Sequence, residues 1–288
     1  MRFTAELLDS DGLINDYVEF GFEDIGNVIP SDDVMHLFGY FHVPVVLSSV
    51  KPVQDVPAVG IDFDFVTIPS GDFGMGSTDA DDMAWDDEKP QFFVHLDEYR
   101  ISRVPVTNRQ YKVFVEATNH PAPSHWPDGE IPVDEADHPV VNVSWHDVVA
   151  FCTWARVRLP SEAEWEKAAR GTDARIYPWG NATPDETRCN FSNNVGGTLP
   201  VGDYPLGASP YGVLDMAGNV WEWTSTQFKG YPYKSDDGRE DVQASGARML
   251  RGGSWISYDR FVRCAYRNMY YPVDRHGGVG FRVVSPGS

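Results

Sequence analysis

Thiols and imidazoles are the first candidates for chemistry, and their spacing limits what they can do. The chain has three cysteines, Cys152, Cys189 and Cys264, and no CxxC pair. A zinc site or a disulfide framework needs recurring pairs, so the sequence predicts reduced, buried thiols. The eight histidines form neither an HxxxH nor an HExxH motif, and no nucleophile elbow or phosphate-binding loop is present. The spacing of these residues therefore indicates no catalytic set.

Helices are the first elements that must position such residues, and three helix starts carry a capping pattern. In this pattern a Ser or Thr and a residue three positions later satisfy free backbone donors. The second predicted helix, residues 145–155, places Cys152 on an apolar face, which favours a core role for that thiol. His120 and His125 lie in a proline-rich loop, where a surface role is expected. The capping pairs are Thr107 with Gln110, Ser144 with Asp147, and Ser161 with Glu164.

The order of the remaining elements predicts a small leader and one large domain. Residues 1–62 are acidic and end in a linker with regularly spaced prolines. At Phe63 the pattern of residue types changes. From there an alternating strand broken by glycines predicts a hairpin that opens a domain over residues 63–288. After Gly171 only short aromatic strands are predicted, separated by glycine and proline turns.

The charge of the chain limits its partners. The formal net charge is -20, and no basic stripe is visible, so binding to nucleic acid or to an anionic membrane is not expected. The N-terminus lacks a basic stretch followed by an apolar core, and no run is long enough to span a membrane. We expect a soluble chain without a signal peptide, located in the cytoplasm or associated with a phage or cell surface.

An ordered series of motifs covers about three-quarters of the chain and resembles the formylglycine-generating-enzyme, or sulfatase-modifying-factor, family. The resemblance implies an α+β, C-type-lectin-like fold with little regular secondary structure. Tryptophans and arginines would hold its loops together. The motifs are IPSG (68–71), MGS (75–77), PVTN (105–108), RLPSEAEWE (158–166), YPWG (177–180), DMAGNVWEW (215–223), RGGSW (251–255) and GFR (280–282).

The resemblance also implies how the oxidases of this family work, and this chain departs from it. In those enzymes two cysteines after the Gly-Gly-Ser-aromatic motif bind copper, because a soft Cu(I) centre needs thiolates. Ser257 stands where the first cysteine falls, the second is deleted, and Cys264 matches a non-catalytic position. Related iron-dependent sulfoxide synthases need a histidine-bearing helical domain, whereas residues 1–62 hold only His36 and His42. We therefore expect no copper and no catalysis.

Calcium is the one metal that the resemblance favours. Members of the family hold calcium with oxygen ligands, which suit a hard cation. The matching residues are Asn190, with Asp203 one position out of register, and Asn219 with Glu222. A purely structural role for Asn219 and Glu222 in a hydrogen-bonded turn remains the alternative.

The C-terminal segment, residues 250–284, also resembles the variable region of C-type-lectin-fold proteins that retroelements diversify. Its framework residues alternate with positions that randomised asparagine codons can encode, apart from Met269. This predicts a non-catalytic protein that displays a diversified surface to a protein or glycan receptor, with tyrosines as anchors. The alternatives are a formylglycine-generating-type oxidase, a degenerate accessory relative, or a structural module. The predicted binding residues are Ile256, Ser257, Tyr258, Asp259, Phe261, Tyr266, Asn268, Met269, Tyr270, Tyr271, Val273, Asp274, His276, Gly277 and Gly278.

Overall fold

A computed structural model describes residues 2–8, 14–21 and 60–286 of the chain. The chain divides into two compact units, Met1–Val56 and Pro57–Ser288. In the first unit, strands β1 (Arg2–Leu8) and β2 (Ile14–Gly21) pair antiparallel, with Arg2 opposite Gly21. Most of the predicted leader, residues 1–62, lies outside the described residues, and its boundary at residue 62 stays a prediction.

The three predicted helices are confirmed, each beginning directly after its capping residue. They are α1 (Asn108–Thr118), α2 (Trp145–Ala155) and α3 (Glu162–Arg170). In each case the hydroxyl of the cap accepts a hydrogen bond from the backbone N–H three residues later, at 3.1–3.2 Å. Within residues 60–286 no helix is both long and apolar enough to cross a membrane.

The predicted opening hairpin is wrong, because the first two strands of the second unit pair with different partners. Strand β3 (Phe65–Ile68) pairs antiparallel with β6 (Tyr99–Ser102), while β4 (Gly71–Met75) pairs with β5 (Phe92–Leu96). The physical reason is that the two strands serve different parts of the core. Ile68 packs in a cluster with Trp165, whereas Phe73 packs in another with Tyr233. The strands therefore part at Pro69 instead of folding back on each other.

A four-stranded sheet carries the C-terminal segment. Its strands are β7 (Trp221–Gln227), β8 (Arg248–Arg251), β9 (Asn268–Tyr270) and β10 (Val279–Phe281), in the order β10-β7-β8-β9. Strands β10 and β7 run parallel, and the other neighbours run antiparallel. Only β7 exceeds four residues, so long loops connect short strands. The predicted α+β fold with little regular secondary structure is confirmed.

A glycine in the DMAGNVWEW motif permits a close backbone approach beside this sheet. Gly218 has φ +76°, and a Cβ at this position would lie 2.2 Å from the carbonyl oxygen of Asn190. No side chain fits there, and the φ angle itself favours glycine. The loop before β7 is thereby packed directly against the loop that contains Asn190.

Candidate functional site

Buried arginines in or near the C-terminal strands bind carboxylates from earlier parts of the chain. Arg282 donates to both oxygens of Glu222, at 2.6 and 2.7 Å, and neither side chain is exposed. Arg263 likewise donates to both oxygens of Glu88, at 2.7 Å each. Such paired donors fix orientation as well as distance. The two contacts therefore fix the middle and the end of the C-terminal segment.

Helix α3 supplies two further carboxylates to the same segment. Glu162 and Glu166 are one helical turn apart and so lie on one face of the helix. Arg267 donates to both oxygens of Glu162, at 2.7 and 3.0 Å, and Arg251 donates to Glu166. All four side chains are buried. Helix α3 therefore anchors strand β8 and the beginning of β9, and the loops between these anchors form the candidate site.

The structure distributes the fifteen predicted binding residues over three degrees of burial. Two are buried, Ser257 and Gly278. Five are half-buried, namely Phe261, Tyr266, Asn268, Tyr270 and Asp274. Eight are exposed, namely Ile256, Tyr258, Asp259, Met269, Tyr271, Val273, His276 and Gly277. The segment therefore presents a real surface, although Ser257 and Gly278 lie beneath it.

Aromatic rings cluster in and beneath this surface. Tyr258 is exposed, Phe261, Tyr266 and Tyr270 are half-buried, and Trp221 is buried behind them; we call these five residues the aromatic face. The ring centroid of Tyr266 lies 5.8 Å from that of Trp221 and 4.9 Å from that of Phe261. Tyr258 extends the cluster at 6.5 Å from Phe261 and is 66% exposed. Tyr270 lies 6.4 Å from Trp223, which shares a strand face with Trp221. The arrangement can bind an apolar, aromatic or cationic group.

Ser257, at the position of the family's first copper cysteine, has a structural role in its loop. Its hydroxyl accepts a hydrogen bond from the backbone N–H of Ser254 at 2.9 Å and lies 3.3 Å from the Ser254 hydroxyl. Its backbone N–H returns a bond of 2.9 Å to the carbonyl of Ser254. These bonds close the turn after the RGGSW motif.

The three thiols lie in three different apolar clusters, so the residues present do not fit a copper centre held by two thiolates. Burial raises the pKa of Cys189 and of Cys264 to about 12 and raises the pKa of Cys152 as well. A neutral thiol is a poor metal ligand and a poor nucleophile. The predicted core position of Cys152 is confirmed, while the expected lack of copper stays a prediction.

The four predicted calcium ligands differ in their surroundings. Both oxygens of Glu222 accept hydrogen bonds from Arg282, and one also accepts from the Trp165 indole at 2.6 Å. The amide oxygen of Asn219 accepts from the backbone N–H of residue 199 at 2.9 Å and from Asn190 at 3.3 Å. Asp203 is exposed. The calcium prediction now depends mainly on the amide oxygen of Asn190, which is buried without a hydrogen-bond partner among the described residues.

Sequence reasoning missed the carboxylates that organise this site. Glu162 and Glu166 were visible as acidic residues one turn apart in the RLPSEAEWE motif, and the C-terminal segment is rich in arginine. These two signals together could have suggested buried ion pairs. Glu88 gave no comparable signal, because it lies 175 residues from Arg263 in an acidic stretch that resembles an ordinary solvated loop.

The arrangement described above, short strands with arginine-anchored loops, defines a domain of C-type-lectin-like fold. The chain belongs to the family of the sulfatase-modifying factor enzyme 1-like domain, which it matches over residues 57–286. The resemblance inferred from the motifs is thereby confirmed.

Relatives of known activity are enzymes. Hercynine oxygenase of Mycolicibacterium smegmatis is 34% identical over 261 residues, covering 76% of this chain and 60% of that protein. The chain thus spans about three-fifths of that relative's length. Formylglycine-generating enzyme of Thermomonospora curvata is also 34% identical, over 283 residues, covering 76% of this chain and 92% of the enzyme. Among solved structures, variable protein 1 of Treponema denticola has a TM-score of 0.62 at 24% identity, covering 81% of this chain and 99% of its own, which shows a shared fold alone.

These relatives correct two predictions. The expectation of a non-catalytic, diversified receptor-binding protein is wrong, as is the expectation that the chain is not an enzyme, since the similar sequences are those of hercynine oxygenase and formylglycine-generating enzyme. The missing cysteine pair does not fit a copper centre held by two thiolates, but it does not exclude catalysis on this fold. The framework arginines pointed to a receptor-binding protein because they hold the loops of the fold in place. They do so whether those loops bind a receptor or a substrate, so they do not distinguish the two functions.

Proposed function

We propose that this protein is an oxygenase that oxidises a small amino-acid betaine of the hercynine kind. The identity to hercynine oxygenase, 34% over 76% of the chain, equals that to formylglycine-generating enzyme, so the observation that carries the choice between them is that the three thiols lie in three separate clusters.

The aromatic face supports the choice of substrate. A betaine carries a quaternary ammonium group, and aromatic rings attract such cations through their negative faces. Trp221, Phe261 and Tyr266 form a contiguous cluster, and Tyr258 leaves much of its ring open to solvent. In the proposed complex Tyr258, Phe261 and Tyr266 contact the ammonium group with Trp221 packed behind them, and the arginine-anchored loops keep these rings in position.

Formylglycine generation is the competing activity within the family, and the site disfavours it. That reaction, as the resemblance implies, depends on a pair of copper-binding thiolates. Ser257 stands at the first position and closes a turn, and the three thiols are buried in separate clusters. We therefore expect no conversion of a cysteine-containing peptide.

Iron is the metal that the oxygenase resemblance implies, and it would supply oxygen activation. Within residues 60–286 no three His, Cys, Asp or Glu side chains come together as metal ligands, so the described residues do not fit an iron centre. His36 and His42 lie outside the described residues. The role that we assign to the described residues is therefore to bind and orient the substrate.

Oxygen uptake tests the proposal on the purified full-length chain. We expect uptake that depends on hercynine together with a thiol when ferrous iron is present. Histidine, which lacks the quaternary ammonium group, is the matched control and should give much slower uptake. Uptake with a cysteine-containing peptide and copper, or no hercynine-dependent uptake with any divalent first-row metal, would overturn the proposal.

A further inference from the structure

Arg260 is the one arginine of the C-terminal segment, residues 250–284, that has no carboxylate partner among the described residues. The other five arginines of this segment each pair with a carboxylate, namely Arg251, Arg263, Arg267, Arg275 and Arg282. Arg260 is half-buried, and its Nη2 donates to the carbonyl oxygen of Met83 at 3.4 Å. Its Nε and Nη1 make no hydrogen bond to a described residue, so both can donate to an anionic group.

The guanidinium group of Arg260 lies beside the aromatic face. Arg260 directly precedes Phe261 in the chain. The carbonyl oxygen of Met83, to which Arg260 donates, also accepts a hydrogen bond of 3.0 Å from Nη2 of Arg263. Because both guanidinium groups donate to one oxygen atom, they lie side by side. The guanidinium carbon of Arg263 is 5.9 Å from the ring centroid of Tyr266, so the free donors of Arg260 are close to the rings of this face.

The ring of Trp85 supports the Arg260 side chain. The guanidinium carbon lies over this ring, 5.6 Å from its centroid, and Trp85 is 51% exposed. A guanidinium group that lies over a ring keeps its N–H donors free to bind a carboxylate. Two neighbouring carboxylates are engaged elsewhere, since Asp259 accepts from the backbone N–H of Arg260 at 2.8 Å and Asp81 accepts from Arg263 at 3.0 Å. The charge of Arg260 is thus held in position without a carboxylate to neutralise it among the described residues.

We propose that Arg260 binds the carboxylate of the amino-acid betaine and thereby determines substrate specificity, an inference that rests on the proposed function. In such a betaine the quaternary ammonium group and the carboxylate are attached to the same carbon atom. The cation that binds the carboxylate must therefore be adjacent to the rings that bind the ammonium group. Arg260 meets this requirement beside Tyr258, Phe261 and Tyr266, and Trp85 is a positioning residue that holds its guanidinium group.

Calorimetric titration of the purified full-length chain with two ligands tests the proposal. Hercynine is compared with its decarboxylated analogue, trimethylhistamine, which keeps the quaternary ammonium group and the imidazole. We expect hercynine to bind about five- to tenfold more tightly, because only hercynine can form charge-assisted hydrogen bonds with Arg260. Equal binding of the two ligands would overturn the role of Arg260 and leave the proposed function standing. Binding of neither ligand would overturn the proposed function and this inference together.

Variants separate recognition of the carboxylate from general effects on the site. Arg260→Gln should bind the two ligands equally, because its affinity for hercynine falls about five- to tenfold while that for trimethylhistamine stays the same. Trp85→Ala should lose part of the preference for hercynine. Arg275→Gln is the matched control and should keep the full preference, since Arg275 is an exposed arginine of the same segment that pairs with Asp147. A preference that persists in Arg260→Gln, or that Arg275→Gln loses to the same extent, would contradict the assignment.

Discussion

Arg282 and Glu222 form a fully buried ion pair in which two guanidinium nitrogens meet two carboxylate oxygens at 2.6 and 2.7 Å. The pair joins β7 to the chain just after β10, and the same guanidinium also donates to the carbonyl of Leu214 at 2.9 Å. It thus connects two of the family motifs, DMAGNVWEW and GFR, in the folded chain.

Removing one partner of this pair should leave an uncompensated buried charge. We expect Arg282→Leu to lower the free energy of unfolding by about 3–5 kcal/mol, as measured by urea denaturation. Arg109→Leu, which breaks the exposed pair with Asp137, should change it by no more than about 1 kcal/mol. Similar effects of the two variants would show that the buried pair does not anchor the sheet.

Asp215 should make the folded protein less stable as the pH rises from 4 to 6. Burial raises the pKa of this carboxyl from 3.8 to about 6, so between these values the native state binds a proton that the unfolded state has lost. The stability contributed by this group is present below pH 4 and is lost as pH rises through 6, a change of up to about 3 kcal/mol.

The substitution Asp215→Asn tests this pH dependence. Asparagine tolerates the φ of +56° and keeps an acceptor for the N–H of Gly202. The variant should unfold at higher urea concentration at pH 7 and lose the slope between pH 4 and 6. Asp128→Asn, at an exposed position with φ +53°, is the control. An unchanged slope in Asp215→Asn would assign the pH dependence to other groups.

The thiols should be inert in the native protein. Cys152, Cys189 and Cys264 are free and buried, and burial raises the pKa of each, so almost no thiolate forms at pH 8. We expect no reaction with a disulfide reagent before unfolding and reaction of all three afterwards. Thr153→Cys, at an exposed position beside Cys152, should react at once. Rapid labelling of the unsubstituted native protein would contradict this account of the thiols.

Local signals in the sequence were sufficient for part of the fold. Thr107, Ser144 and Ser161 each begin a helix because the capping interaction involves residues three positions apart. The pairing partner of strand β3 could not be predicted from such local signals. It depends on whether Ile68 packs near Trp165 or near Tyr233, and such contacts join residues far apart in sequence.

Only part of the candidate site could be predicted from the sequence. The tyrosines after the RGGSW motif were visible as residues typical of a binding surface, and Tyr258 and Tyr271 are exposed, while their role in binding stays a prediction. The place of Trp221 in the aromatic face could not be predicted, because only the folded chain brings its ring to 5.8 Å from that of Tyr266.

Tyr258 should contribute to substrate binding at the aromatic face. Tyr258→Ser removes a ring that is 66% exposed, so the fold should tolerate the change. We expect hercynine affinity, measured by calorimetry, to fall about two- to fivefold, the effect of one exposed cation–π contact. Phe93→Ser removes an 82% exposed ring from β5 and should leave the affinity unchanged. Equal losses in both variants would place the betaine elsewhere.

The fate of isotope-labelled dioxygen tests the central claim most directly. The purified chain is incubated with hercynine, a thiol, ferrous iron and labelled dioxygen, and the products are analysed by mass spectrometry. The account predicts a hercynine-derived product that carries labelled oxygen. Unmodified hercynine, together with formylglycine in a cysteine-containing peptide treated in parallel with copper, would contradict it.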